Sequence, residues 1–169
     1  MIRYVAFNKA VVAGAAGACA WELAARLLIR AGVPLFDIVW LLGTMVPGGN
    51  ETWKWWAVGM LVHAAVGAIW AIFYAYFFWS TFDWPPALQG LAFSIGPAIL
   101  AGLVMIPQMG YMHPLVLGGE MPAPGMFGTG FGWGGPAGVF LGHAIYGLTL
   151  GSLYTKPVGS AVRRTMALS

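Results

Sequence analysis

The composition of this chain excludes a water-soluble domain. The sequence has 169 residues, of which 60% are hydrophobic and only 8% are charged, with a formal net charge of +3. In soluble domains about a quarter of the residues are charged, so this chain has too few charged residues to cover a water-facing surface. The small, scattered charge gives no indication of a nucleic-acid partner, and the single cysteine, Cys19, offers neither a disulfide nor a metal cluster. We therefore predict an all-α integral membrane protein, with residues 1–169 forming one transmembrane domain.

The chain is long enough for four membrane spans of about 20 residues each. Its first apolar segment, residues 5–29, continues past any signal-peptide cleavage site and is predicted as an uncleaved span. Gly14 thins one side of this helix, which favours close contact with another helix. Glu22 and Arg26 are spaced i, i+4 near its end. They can form an intramembrane ion pair that orients the helix, or alternatively a proton or anion site.

The next three elements are predicted from hydrophobicity and from aromatic residues. Residues 35–47 are apolar but too short to span. This segment, with Asp37, is predicted to lie in the membrane interface or to pack as a short amphipathic helix over the bundle, and a re-entrant segment is the alternative. A second span, 55–78, has no charge and carries tryptophan and phenylalanine at its ends, as membrane interfaces favour. A third, 87–106, contains Pro97, which predicts a kink.

The longest connection, residues 107–135, is rich in glycine and proline but also in methionine and aromatic residues. Disordered linkers are polar, so we predict an ordered outer loop that folds over helix ends or onto a partner. The fourth predicted span is 136–155. It carries small-residue contact motifs, whose glycines are Gly138, Gly142, Gly147 and Gly151.

The basic residues predict the orientation of the spans. The chain ends carry Arg3, Lys9, Lys156, Arg163 and Arg164. The positive-inside rule then places both termini in the cytoplasm and the two long connections outside, in a multi-pass protein of the bacterial inner membrane.

The second and fourth spans share the pattern A-x-x-x-L-x-H-A-x-x-G-x-x-x-x-x-x-Y. One copy runs from Ala57 to Tyr74 and the other from Ala137 to Tyr154. The pattern predicts a parallel repeat of two helical hairpins, related by an axis along the membrane normal. His63 and His143 then lie at similar depth on parallel helices.

Three interpretations of these histidines remain open. In the first, they form hydrogen bonds between helices and bind no cofactor. In the second, His63 and His143 ligate one b-type haem. In the third, the protein binds copper through imidazole and thioether groups, with His113, Met109 and Met112 as a further set. No catalytic constellation is present, so no enzyme activity is predicted.

Four segments together resemble a group of small four-span inner-membrane proteins of bacteria. These segments are WELAARLL, HAAVGAIWAIFYAYFF, PAPGMFGTGFGW and GHAIYGLTLGSLY. The resemblance implies a bacterial cytoplasmic membrane and four helices. It implies no activity.

The leading functional prediction is an accessory subunit that packs into a larger energy-converting complex, respiratory or photosynthetic. Its partners would be membrane lipids and other integral membrane subunits. One alternative is a haem b or copper-binding membrane protein that uses His63 and His143. Another is a small transporter, for which Glu22, Arg26 and Asp37 are the only candidates for a polar path.

Overall fold

The structure, a computed structural model, describes residues 5–46, 52–79 and 81–155. All the regular elements in these ranges are helices, which confirms the predicted all-α class for this part of the chain. In order they are α1 (Phe7–Arg30), α2 (Ile38–Gly43), α3 (Thr52–Phe73), α4 (Pro86–Met112), α5 (Pro114–Leu117) and α6 (Gly134–Leu153). A π turn extends α3 over Tyr74–Phe78, and another, Ala101–Met105, lies within α4.

Three helices are long and apolar enough to cross a membrane, which supports an integral membrane protein. They are Phe7–Arg30, Trp53–Phe78 and Pro86–Met112, with 24, 26 and 27 residues. They overlap the predicted spans 5–29, 55–78 and 87–106. The predicted fourth span, 136–155, overlaps α6, a helix of 20 residues that is not one of these three.

The connection after α4 begins later than the sequence predicted. Residue 107 was expected to start a loop, but α4 continues through it to Met112, α5 follows directly, and a tight 3-10 segment forms at Met126–Phe131. The rings of Phe36 and Phe131 stack with centroids 4.4 Å apart. The connection therefore packs against the residues that lead into α2.

Two other predicted features differ in detail from the structure. The α-helix continues through Pro97, and the π turn Ala101–Met105 begins about one turn later. Within the predicted segment 35–47, the helical part is α2, which packs against α3 at Gly59 and Val39. Residue 47 lies outside the described ranges.

Two close helix pairs, α1 with α3 and α4 with α6, form the frame of the bundle. Gly14 and Gly67 face each other in the first pair, and a methyl group added to either would collide with the backbone of the other. Gly90 and Gly147 make the same reciprocal contact in the second pair. Glycine at these positions allows the helix backbones to touch, as is common where membrane helices associate by packing.

α1 and α6 pack together and join the two pairs. The ring of Trp21 lies against Gly142, and the ring of Tyr146 lies against Gly17. The Tyr146 hydroxyl also donates a hydrogen bond to the Gly67 carbonyl at 2.6 Å, which links α6 to α3.

A cluster of tyrosines and phenylalanines, here called the tyrosine end, closes one end of the bundle. The buried rings of Tyr74 and Tyr154 meet with centroids 6.0 Å apart. The Tyr154 hydroxyl accepts a hydrogen bond from the Ala6 N–H at 3.2 Å. Phe93 of α4 packs against Tyr74 at 5.2 Å between centroids. Trp70 of α3 also packs against Phe93 of α4 near this end, and an opening lies between the two helices towards α2.

The glycine contacts predict a difference between two alanine substitutions in α4. Gly90→Ala places a methyl group against the Gly147 carbonyl and should lower the stability of the folded bundle by about 1–3 kcal/mol. Gly96→Ala is the matched control, because a methyl group there meets nothing within 4 Å. Thermal unfolding in one detergent measures both. Equal stability of the two variants would contradict the packing described for α4 and α6.

Candidate ligand-binding cavity

The opening between α3 and α4 is an apolar cavity of about 450 Å³. Its α3 wall includes Val66, Ile69 and Phe73, which are 40%, 53% and 48% exposed. Because these lining side chains also lie on the outer surface of the bundle, the cavity opens sideways between the two helices. In a membrane protein such an opening faces lipid, and a molecule can enter it from the bilayer.

The π turn in α4 sets which side chains form the opposite wall. Up to the first residue of the turn, the cavity is lined at ordinary helical spacing by Pro97, Leu100 and Ala101. A π turn inserts one extra residue into a helix and so rotates the residues after it about the helix axis. Met105, Ile106 and Met109 then line the cavity too. Such bulges occur often at functional sites, and this one shapes a cavity wall.

His63 and His143 both line this cavity, from α3 and α6 respectively. The sequence predicted that they lie at similar depth, and the structure brings them to one space. His143 also borders a smaller apolar cavity of about 170 Å³ between α4 and α6.

The hydrogen bonds of the two imidazoles are incomplete. Nδ1 of His143 lies 2.7 Å from the Val139 carbonyl oxygen. Because a carbonyl can only accept, Nδ1 carries the proton and donates it, and Nε2 keeps a lone pair for another partner. Nδ1 of His63 is buried and has no hydrogen-bond partner. Buried polar groups in proteins are nearly always satisfied, so this nitrogen is an exception among the described residues.

An ion network joins α1 to the residues that lead into α2. Arg26 contacts both oxygens of Asp37, at 2.7 and 2.9 Å, and also donates to Glu22. Asp37 in addition accepts from the Trp40 N–H at 2.9 Å and caps α2. The network holds α2 and the residues before it over the mouth of the bundle, where Phe36 and Leu41 line the cavity.

The same network bears on the transporter alternative. Both carboxylates that could form a polar path bond to one guanidinium. Groups that satisfy one another in this way hold elements together.

His113 has a structural role that the sequence did not reveal. Its side chain is fully buried, and its Nδ1 accepts from the Leu115 N–H at 3.2 Å. Its Nε2 then carries the proton and donates to the Leu41 carbonyl at 3.0 Å. Both nitrogens are occupied, so a copper ion could bind His113 only by breaking these bonds. Of the proposed copper ligands nearby, Met109 lines the cavity and Met112 is half exposed.

The remaining glycines named from the sequence serve different purposes. Gly14 and Gly147 make the reciprocal contacts described above, and Gly151 touches the Pro86 carbonyl. Gly142 supports the ring of Trp21. Gly138 borders the cavity, and a methyl group added there would lie 3.8 Å from the nearest atoms, which is ordinary contact.

The ion network predicts the effect of neutralising Asp37. Asp37→Asn keeps an oxygen to cap α2 but removes the charge that pairs with Arg26, so stability should fall by about 1–3 kcal/mol. Asp83→Asn, at an exposed carboxylate, serves as the control and should change nothing measurable. Thermal unfolding in detergent compares the two. A variant as stable as the parent would show that the pair does not hold α2 in place.

Comparisons with known proteins identify no family for this chain. It matches no protein-family model, no curated protein and no solved structure. The described residues also contain no group of three or more His, Cys, Asp or Glu side chains that could hold a metal ion. What the protein does is therefore inferred from the lateral cavity and its two imidazoles.

Proposed function

We propose that this protein binds a neutral, lipid-soluble molecule in the cavity between α3 and α4, with His63 and His143 as its polar contacts. The observation that carries this proposal is the position of both imidazoles on one apolar cavity. Two polar side chains within apolar walls are the usual composition of a small-molecule site. Imidazoles inside a membrane bundle are rare enough to favour a functional role.

The charge of the walls favours a neutral ligand. All the residues that line the cavity are uncharged at neutral pH, apart from the titratable imidazoles themselves. Moving an unpaired charge into such a space is costly. Haem b fits the imidazoles, because Nε2 of His143 offers a lone pair, but its two carboxylates find no basic residue in the lining. Haem b is therefore the second choice for this cavity.

We further infer that α6 is a fourth span and that the bundle is a repeat of two hairpins. α6 packs between α1 and α4, both long enough to cross a membrane, so a bundle that spans a membrane carries α6 across with them. Three pairings support the repeat. The glycine contacts are reciprocal in both hairpins, His63 and His143 share one cavity, and Tyr74 meets Tyr154. With four spans, both termini lie on the cytoplasmic side.

The proposed function is tested by filling the cavity. Val66 lines it and is 40% exposed, whereas Val62, one turn earlier on α3, is 38% exposed and lies outside it. Val66→Trp should therefore displace a bound molecule, and Val62→Trp should not. Native mass spectrometry of protein released gently from its own membrane measures the adduct. We expect one small adduct on the parent and on Val62→Trp, and its loss from Val66→Trp.

Two outcomes of this experiment would contradict the proposal. A parent protein without any adduct would remove the evidence that a ligand occupies the cavity. An adduct that survives in a folded Val66→Trp variant would place the ligand elsewhere on the molecule.

A second candidate function, an accessory subunit of an energy-converting complex of the bacterial inner membrane, is favoured by the exposure of α3. Only 17% of the most apolar window of this helix is buried, compared with 39% in α1. Leu61 and Phe77 on its surface are 72% and 73% exposed. Such a surface can pack against the helices of other membrane subunits.

The same native spectra test the accessory-subunit proposal. A mass well above one or two copies of the chain, with other subunits released on activation, would support it. A monomer or dimer of this chain alone, from membranes extracted under mild conditions, would contradict it.

A further inference from the structure

We propose that the ligand of the cavity carries an aryl hydroxyl group, as in lipid-soluble phenols and hydroquinones, and that this hydroxyl donates a hydrogen bond to Nε2 of His143. This inference rests on the proposed function and names the chemical class of its ligand. It derives from the hydrogen-bonding state of His143 and from the aromatic walls of the cavity.

His143 requires a donor from its ligand. Its Nδ1 proton is committed to the Val139 carbonyl at 2.7 Å, so Nε2 of the neutral ring can only accept. A hydroxyl group supplies that proton. A quinone or ketone oxygen cannot supply it, because such an oxygen has no hydrogen and would leave the lone pair of Nε2 unsatisfied.

His63 borders the same cavity, but its Nδ1 is buried and has no hydrogen-bond partner in the described structure. We therefore assign the hydroxyl to His143 alone.

The walls favour a ring over a flexible chain. Five aromatic side chains line the cavity, namely Trp21, Phe36, Trp70, Phe73 and Tyr146. Aromatic rings pack favourably against one another in stacked or edge-to-face arrangements, beyond the burial of their area. An aromatic ring that carries a hydroxyl therefore matches both the walls and the imidazole of His143.

The test uses four compounds with the same methylated ring. Radiolabelled 2,3,5,6-tetramethylphenol is bound to the full-length protein in lipid nanodiscs, and empty nanodiscs give the partition blank. Unlabelled tetramethylphenol, tetramethylhydroquinone, tetramethylquinone and tetramethylbenzene then compete for the site. We expect the phenol and the hydroquinone to displace the label at least about tenfold more effectively than the quinone and the hydrocarbon.

Two variants assign the preference to His143. His143→Phe and His63→Phe each keep a flat ring but remove the hydrogen-bonding nitrogens. His143→Phe should bring the phenol down to the affinity of the hydrocarbon and leave the hydrocarbon unchanged, whereas His63→Phe should still bind the phenol more tightly than the hydrocarbon. The competition experiment on the parent protein is sufficient to overturn the inference, so the test does not depend on whether the variants fold.

The possible outcomes separate this inference from the proposed function. If the hydrocarbon or the quinone competes as well as the phenol, the cavity binds rings whether or not they carry a hydroxyl, and only the present inference fails. If tetramethylphenol binds no better than to empty nanodiscs while native protein still carries an adduct lost in Val66→Trp, the ligand is a lipid or another molecule without an aryl hydroxyl. If the adduct is absent as well, both proposals fail.

Among the two sources of an aryl hydroxyl, the competition distinguishes hydroquinones from monophenols. Stronger displacement by the hydroquinone would show that its second hydroxyl also finds a partner. Equal displacement would show that the protein forms a hydrogen bond to a single hydroxyl. Either result supports the assignment of the ligand class.

Discussion

The structure depends on close backbone contact at two glycine pairs. Gly14 with Gly67, and Gly90 with Gly147, bring the helices of each hairpin together until no side chain fits between them. Membrane helices gain little from the hydrophobic effect when they associate, because lipid tails are as apolar as their side chains. Contact of this kind, together with polar bonds such as that from Tyr146 to the Gly67 carbonyl, therefore has to hold the bundle.

In the proposed repeat, the interface between α1 and α6 corresponds to the one between α3 and α4. The cavity results because side chains fill the first interface more completely than the second. Between α1 and α6 the space is filled by Trp21 and Tyr146. Trp21 follows Gly14 by seven residues, and the corresponding residue seven after Gly90 is Pro97. Tyr146 follows His143 by three residues, and the corresponding residue three after His63 is Val66. Two large rings at the first interface thus correspond to a proline and a valine at the second. The missing volume is the space that both imidazoles line.

Much of the fold could be predicted from the sequence, because its signals are local. Hydrophobic length marks the three long helices, and the i, i+4 spacing of Glu22 and Arg26 places their side chains together. The repeated pattern also indicated that His63 and His143 belong together. The contacts that could not be predicted from the sequence join residues that are distant along the chain. Asp37 reaches Arg26 only because the chain turns back after α1, and His113 is fixed by the Leu41 carbonyl from a distant segment.

The cavity itself could not be predicted, because it forms where two helices, α3 and α4, do not pack against each other. No pattern in α3 or α4 shows that the two helices separate, and the π turn that rotates Met105 and Met109 into the wall has no clear sequence signature. The helix that continues past residue 107 was missed for a related reason. Proline and glycine end helices in water, but in an apolar bundle neighbouring elements can satisfy the freed backbone groups.

In the proposed site, His63 and His143 both border the ligand, whereas His113 is held by its own hydrogen bonds. The chain has only 3 histidines, so ¹⁵N NMR of histidine-labelled protein in nanodiscs resolves each imidazole, with single His→Gln variants for assignment. We predict that His143 is protonated on Nδ1 and not on Nε2. Saturating tetramethylphenol should shift the signals of His63 and His143 together and leave His113 unchanged. A shift of His113, or of neither cavity histidine, would contradict the account.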